Sequence, residues 1–131
     1  RALEIAKAKV AKRALLLPVS APFHCALMQP APHVMAEALA AVPIAKPRVP
    51  VVVNVRAEAV MEPDRILDLL IAQVTGSVRW RESVLWMEKA GVTEFWEIGA
   101  GKALSGMIKR IAAGATTRTI GTPEDIAALK A

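Results

Sequence analysis

The sequence has little of what a disulfide, a nucleic-acid surface or a membrane span requires. It contains one cysteine, Cys25, so no disulfide can form within the chain, and a reducing, cytoplasmic location is expected. It has no tyrosine, and aromatic residues make up 4% of the chain, which leaves few rings to stack on bases. No apolar run is long enough to cross a bilayer and no leader segment is recognisable, so no membrane association is expected.

Positive charge is concentrated at one end of the chain. The net charge is +5, and +4 of it lies in residues 1–13, where five basic residues face one acidic residue, Glu4. Without a nucleic-acid-binding motif, this cluster does not predict a nucleic-acid partner. It predicts a solvated helix face, or a surface that attracts an acidic partner.

Apolar residues are in excess. They make up 54% of the chain, with a mean hydropathy of +0.38, and ordinary globular domains have about 45–50% even when glycine is included. Two explanations stay open. Either an apolar face is covered by another segment of a longer protein, or the composition simply reflects an alanine-rich host.

Helical and extended patterns alternate along the chain, which predicts an α/β layered sheet. Val51–Val55 is continuously apolar and predicts a strand of a parallel sheet, buried on both faces. The other predicted strands are Ala11–Leu17, Thr93–Ile98 and Thr116–Ile120. Helices are predicted over Ala2–Val10 and Pro30–Val42, from Pro63 to about Val74, from an N-cap at Ser77 to Gly91, from Gly101 to Gly114, and after an N-cap at Thr122.

His24 lies in a proline-stiffened stretch, Pro18–Met28, that follows an apolar strand. Pro22 disfavours helix in the residue before it, so the chain is predicted to run extended here, with helix resuming only beyond Met28. A histidine on such a loop is either a hydrogen-bonded structural residue or a side chain presented for catalysis. The residues around His24 do not decide between the two.

Three ordered motifs point to a known family. They are Pro18-Val-Ser-Ala-Pro-Phe-His-Cys-Ala-Leu-Met28, Gln73-Val-Thr-Gly-Ser-Val-Arg-Trp80 and Glu97-Ile-Gly-Ala-Gly-Lys-Ala-Leu-Ser-Gly106. Together they resemble the C-terminal portion of bacterial malonyl-CoA:acyl carrier protein transacylases and, more loosely, other acyltransferase domains. The resemblance implies that residues 18–131 belong to a layered α/β/α, hydrolase-like acyltransferase subdomain. It also implies that residues 1–17 are the last helix and strand of a small ferredoxin-like subdomain.

The resemblance also implies a reaction and a site. Malonyl groups pass from malonyl-CoA to the phosphopantetheine thiol of acyl carrier protein in fatty-acid biosynthesis, through a serine-bound acyl-enzyme. His24 is the expected general acid/base, the main-chain carbonyl of Gln73 its orienter, and Phe23 a substrate-pocket residue that favours malonyl. Neither a metal nor a cofactor is expected. None of the four serines lies in Gly-x-Ser-x-Gly, so the chain alone is expected to be inactive.

The resemblance further implies that the partners are acyl carrier protein, malonyl-CoA and the N-terminal part of the same enzyme, which as a whole is expected to be monomeric. The alternative is a non-catalytic α/β module that binds an acidic carrier protein through its basic N-terminal helix. A cysteine hydrolase using Cys25 is disfavoured because that thiol is predicted to face the core. Gly99–Gly101 is predicted to be a tight strand-to-helix turn, since Ala103 stands where a phosphate loop needs serine or threonine. The resemblance implies that this turn lies beside the active-site cleft.

Overall fold

The computed structural model describes residues 1–16 and 18–129 and has the predicted α/β class. None of the described helices is long and apolar enough to cross a membrane. The helices are α1 (Ala2–Ala8), α2 (Pro30–Ala40), α3 (Pro63–Gln73), α4 (Trp80–Lys89), α5 (Ala103–Ile111) and α6 (Pro123–Ala128), with a 3₁₀ turn at Ala26–Met28. The strands are β1 (Val51–Val53), β2 (Glu58–Val60), β3 (Glu94–Ile98) and β4 (Thr116–Ile120).

The C-terminal half is built around a parallel strand pair. β3 and β4 pair in parallel, with Glu94 opposite Thr116 and Ile98 opposite Ile120, and α5 connects them. A buried cluster covers the α5 side of the pair and consists of Val84, Phe95, Ile108 and Ala112. The predicted parallel arrangement is therefore confirmed for these two strands, and their alternating side chains explain why a single face is buried.

The prediction for Val51–Val55 is wrong in extent and pairing. β1 ends at Val53 and pairs with β2 as an antiparallel hairpin, in which Ala57 closes the turn by donating to the carbonyl of Val53 at 2.8 Å. The run of valines favoured a longer strand. The chain instead turns after Val53, and Ala57 in this turn has a φ of +55°. A second cluster of Val60, Ile66 and Leu69 packs α3 on this hairpin.

The predicted strand Ala11–Leu17 is wrong over residues 11–16, which have no strand conformation; Leu17 lies outside the described residues. No strand of the described chain pairs with this segment, and a strand needs a partner for its backbone N–H and C=O groups. Leu16 is consequently 81% exposed. The predicted helix before it is confirmed as α1, although it ends two residues earlier than expected.

The segment between α3 and α4 also differs from the prediction. Ser77 is not an N-cap, because α4 begins only at Trp80, with Arg79 in the cap position. Arg79 is held instead by its backbone N–H, which donates to the carbonyl of Asn54 in the hairpin turn at 3.1 Å. The predicted end of α4 at Gly91 is confirmed, and that glycine has a φ of +90°.

Candidate functional site

His24 lies on the exposed loop between α1 and α2. Its φ is +57°, in the left-handed region, so the predicted extended path is wrong at this residue. The 3₁₀ turn at Ala26–Met28 follows almost at once, earlier than expected. A left-handed conformation in a residue other than glycine is uncommon and tends to occur at functional sites.

The imidazole of His24 is bound to the end of α3. Its Nδ1 lies 2.9 Å from the main-chain oxygen of Gln73. A carbonyl oxygen can only accept, so Nδ1 carries the proton and donates it. In the neutral ring Nε2 is then left with its lone pair, and among the described residues it has no hydrogen-bond partner. This is the protonation state that a general base requires.

The carbonyl of Gln73 is available because α3 ends there. The last carbonyls of an α-helix have no partner within the helix. In α3, two of them are used by the following turn, since Val74 donates to Ile71 at 3.2 Å and Gly76 donates to Ala72 at 2.9 Å. The carbonyl of Gln73 is left to accept from His24. The contact expected from the resemblance is thus present, while the catalytic roles of the two residues remain predictions.

The neighbours of His24 differ in their surroundings. The Phe23 side chain is 55% exposed beside the imidazole, and its assignment as a substrate-pocket residue remains a prediction. The Cys25 thiol is half-buried and donates to the carbonyl of Pro22 at 3.0 Å, so it does not face the core as predicted.

The described chain brings no nucleophile to His24. No serine hydroxyl or thiol of the described residues is hydrogen-bonded to the imidazole. Ser83 is buried and donates to the carbonyl of Arg79 at 2.9 Å, and Ser105 is buried in the first turn of α5. Within the same residues, no three His, Cys, Asp or Glu side chains gather where a metal ion could bind. The described part of the site therefore consists of the His24 imidazole and the Gln73 carbonyl that accepts a hydrogen bond from it.

Sequence analysis missed the role of Glu97. Its carboxylate leaves β3 and accepts from the backbone N–H groups of Leu104 at 3.0 Å and Ser105 at 2.7 Å, at the start of α5. The Ser105 side chain and N–H, with the N–H of Leu104, lower the pKa of Glu97. An acidic residue just before a glycine-rich turn was the signal for this cap. The helix end that a phosphate would use is occupied, in agreement with the predicted tight turn.

Two sequence relatives from different bacteria carry the same name. The chain is 44% identical over 128 residues to malonyl CoA-acyl carrier protein transacylase of Escherichia coli K12 and 43% identical over 125 residues to that of Bacillus subtilis 168. These matches cover 98% and 95% of the chain, and 41% and 39% of the relatives. No protein-family model matches.

Solved structures agree with the sequence relatives. An acyl-carrier-protein S-malonyltransferase from Bartonella henselae superposes with a TM-score of 0.89 at 50% identity, over 98% of this chain and 41% of that one. A malonyl-transacylase in complex with a type II PKS acyl-carrier protein gives 0.87 at 38% identity, over 98% and 42%. The chain thus spans about two fifths of the length of the relatives that it matches.

Proposed function

Since the chain belongs to the malonyl-CoA–acyl carrier protein transacylase family and matches a C-terminal part of its members, we propose that it supplies the base of a cytoplasmic malonyl transferase. The hydrogen bond from His24 Nδ1 to the carbonyl of Gln73, at 2.9 Å, carries this proposal. It fixes the tautomer in which Nε2 can take a proton. The nucleophile would come from the remainder of the enzyme.

The proposed reaction has two halves, and in each of them Nε2 takes up one proton and gives it back. His24 takes the proton of a serine hydroxyl while the serine oxygen attacks the thioester carbonyl of malonyl-CoA. It returns that proton to the departing CoA thiolate, which leaves a malonyl ester on the serine. In the second half, His24 takes the proton of the phosphopantetheine thiol of acyl carrier protein while its sulfur attacks the malonyl ester carbonyl. The bond to the serine oxygen breaks, His24 returns the proton to that oxygen, and malonyl is left as a thioester on the carrier. Gln73 keeps the ring oriented throughout, and no metal or cofactor takes part.

The experiment that tests this proposal is a chimaera. The segment of the E. coli transacylase that matches this chain over 128 residues is replaced by the chain itself, and malonyl transfer to acyl carrier protein is measured. We expect transfer in the chimaera and its loss in His24→Ala. His24→Asn is the matched variant, because asparagine tolerates the left-handed backbone. Full rates in both variants would remove His24 from the mechanism.

We propose that the remainder of the enzyme covers the outer face of the β3–β4 pair. On that face Trp96 is 46% exposed, Ile98 75% and Ile126 of α6 52%. Parallel strands are normally buried on both faces. The relatives extend well beyond the matched region, which supports a covering segment of the same polypeptide.

This covering segment can be tested by complementation. The chain is mixed with the remaining part of the E. coli transacylase, and binding of a hydrophobic dye is followed. We expect the chain alone to bind dye and the mixture to lose that binding, and Ile98→Asp to prevent the loss. Val10→Asp is the control, since that side chain is 87% exposed on the opposite terminal segment. A monomeric chain that binds no dye would contradict the proposal.

Phe23 is proposed to set the preference for malonyl over larger acyl groups. It directly precedes His24 and is open to solvent, so its ring can contact an acyl group held at the imidazole. In the active chimaera, Phe23→Ser is expected to raise kcat/KM for methylmalonyl-CoA relative to malonyl-CoA. Leu27→Ser, at a position that is 76% exposed farther along the loop, serves as the control. An unchanged ratio in Phe23→Ser would exclude this role.

The alternative is a module that binds an acidic carrier through the basic residues of α1 and the segment after it. Lys7, Lys9 and Lys12 are all exposed. Binding of acyl carrier protein to the chain alone should then weaken with salt. Neutralising the three lysines should abolish it, and no binding at low salt would exclude this alternative.

A further inference from the structure

The side chain of Gln73 has a contact of its own. Its Nε2 donates to the carbonyl of Gly76 at 2.9 Å and lies 3.5 Å from that of Ser77. Both neighbours are carbonyl oxygens, which only accept, so the amide must present its nitrogen to them. One residue thus holds the turn after α3 with its side chain and the imidazole of His24 with its main chain.

Gly76 fixes the turn after α3 on the side that faces the β1–β2 hairpin. A Cβ added at Gly76 would lie 2.7 Å from Cγ2 of Val55 and 2.8 Å from the carbonyl oxygen of Ala72. The turn therefore packs directly against the β1–β2 hairpin. It cannot shift toward the hairpin, and the Gln73 amide prevents it from opening away from α3. The packing of Gly76 and the hydrogen bond of the Gln73 amide therefore both restrain the segment that carries the Gln73 carbonyl.

The consequence for His24 follows from helix fraying. The last residue of a helix has few backbone restraints, and its carbonyl direction varies readily. An acceptor for an imidazole N–H must hold its direction, because a hydrogen bond weakens steeply as it bends. The hydrogen bond from the Gln73 side-chain amide to the carbonyl of Gly76, called the Gln73 clamp below, is placed to hold the direction of the Gln73 carbonyl.

We propose that the Gln73 side-chain amide is a positioning group for His24. By donating to Gly76 it orients the Gln73 carbonyl, and that carbonyl keeps the proton on Nδ1 of the imidazole. The catalytic meaning of this clamp rests on the function proposed above. The clamp itself is a property of the chain and can be measured without any reaction.

The test measures the tautomer of His24 by ¹⁵N NMR of the side chain in the 131-residue chain at about pH 9, well above the ordinary histidine range. The chain has two histidines, so His33, on α2 and 3.4 Å from Glu37, is an internal reference. In the wild type we expect His24 to carry its proton on Nδ1. In Gln73→Met, which keeps length and helix propensity but has no donor, we expect the tautomer ratio to shift toward Nε2–H by roughly two- to tenfold, the contribution of one hydrogen bond.

Two further variants separate positioning from stability. Gln73→Glu keeps the shape of the side chain but presents only acceptors to Gly76, so it should shift the tautomer as Gln73→Met does. Gln29→Met, at the exposed glutamine before α2, should leave it unchanged. The proposal is overturned if wild-type His24 carries its proton on Nε2, or if folded Gln73→Met and Gln73→Glu keep the wild-type tautomer. Circular dichroism and urea unfolding report whether each variant is folded.

The same variants in the chimaera distinguish the two proposals. Gln73→Met should lower kcat and leave KM for malonyl-CoA unchanged, because it misdirects the base without touching the substrate. An inactive wild-type chimaera, together with a tautomer shift in the isolated chain, would reject the proposed function and leave the clamp standing. An active chimaera in which Gln73→Met has wild-type kcat and the wild-type tautomer would reject the clamp alone.

Discussion

The carboxylate of Glu97 and the backbone N–H of Ser105 are 2.7 Å apart, so a side chain from β3 closes the first turn of α5. The N–H groups at a helix start have no partner within the helix and carry partial positive charge, which favours an ionised carboxylate. The Ser105 hydroxyl, and with it the N–H groups of Ser105 and Leu104, lower the pKa of Glu97. The glycine-rich turn between them brings the carboxylate back to the helix.

A pH-dependent loss of stability is expected from this contact. Because the folded-state pKa of Glu97 is lowered, the stabilisation is fully present above the ordinary glutamate pKa of about 4.3 and is lost as pH falls through the lower folded value. Glu97→Gln should therefore lower Tm at pH 7, and the difference from wild type should shrink toward pH 3. Glu88→Gln, at an exposed position of α4, is the control and should change Tm little at either pH. A Tm difference independent of pH would contradict the ionised cap.

Gly76 and Gly106 are expected to respond in opposite directions to alanine. At Gly76 the added Cβ meets Val55 and a backbone oxygen, so Gly76→Ala should lower the free energy of unfolding by about 1–3 kcal/mol. Gly106 lies inside α5 with nothing within 4 Å of the added Cβ, so Gly106→Ala should raise it by roughly 0.5–1 kcal/mol. Urea denaturation of the two variants measures both changes. A Gly76→Ala variant that is as stable as wild type or more stable would mean that the turn is not packed as described, and a destabilised Gly106→Ala would contradict the open space beside α5.

Sequence reasoning succeeded where structure is decided locally. Pro63 at the first turn of α3, Gly91 after α4 and Thr122 before α6 each fix a boundary through their own backbone preference, and all three boundaries are observed. The contact between His24 and Gln73, 49 residues apart, was expected only through the resemblance. No periodicity in the sequence indicates it.

The wrong predictions lie where strand pairing or a tertiary contact determines the backbone conformation. Residues 11–16 were predicted as a strand from their apolar leucines, yet strand formation depends on pairing, which a short apolar run does not encode. Val51–Val55 looked buried on both faces, but hairpin pairing ends β1 at Val53. At His24 the backbone is left-handed, a conformation that histidine adopts more often than most residues but that nothing in the local sequence pattern requires.

The capping box of α6 gives a prediction about local stability. Thr122 accepts from the N–H of Asp125 at 3.2 Å, while the Asp125 carboxylate accepts from the N–H of Thr122 at 3.0 Å. Thr122→Ala should destabilise this helix by about 1 kcal/mol, and Thr122→Ser should be close to wild type. Hydrogen exchange of the α6 amide of Ile126 measures the effect. Unchanged exchange in Thr122→Ala would mean that packing alone holds α6.

The two sides of β3 are expected to differ sharply in the isolated chain. Phe95 is buried against Val84 and Ile108, so Phe95→Ala should lower the free energy of unfolding by about 3–5 kcal/mol. Trp96 points to the opposite side, where the Arg118 guanidinium lies 5.4 Å from its ring, an exposed contact worth about 0.5–1 kcal/mol.

Trp96→Ala should therefore change urea unfolding of the isolated chain far less than Phe95→Ala does. With the remaining part of the E. coli transacylase bound, Trp96 would be desolvated, and Trp96→Ala should then weaken association several-fold. A Trp96→Ala variant that destabilises the isolated chain as much as Phe95→Ala would show that the outer face of β3 is already packed. A variant that leaves association unchanged would place the covering segment elsewhere on the molecule.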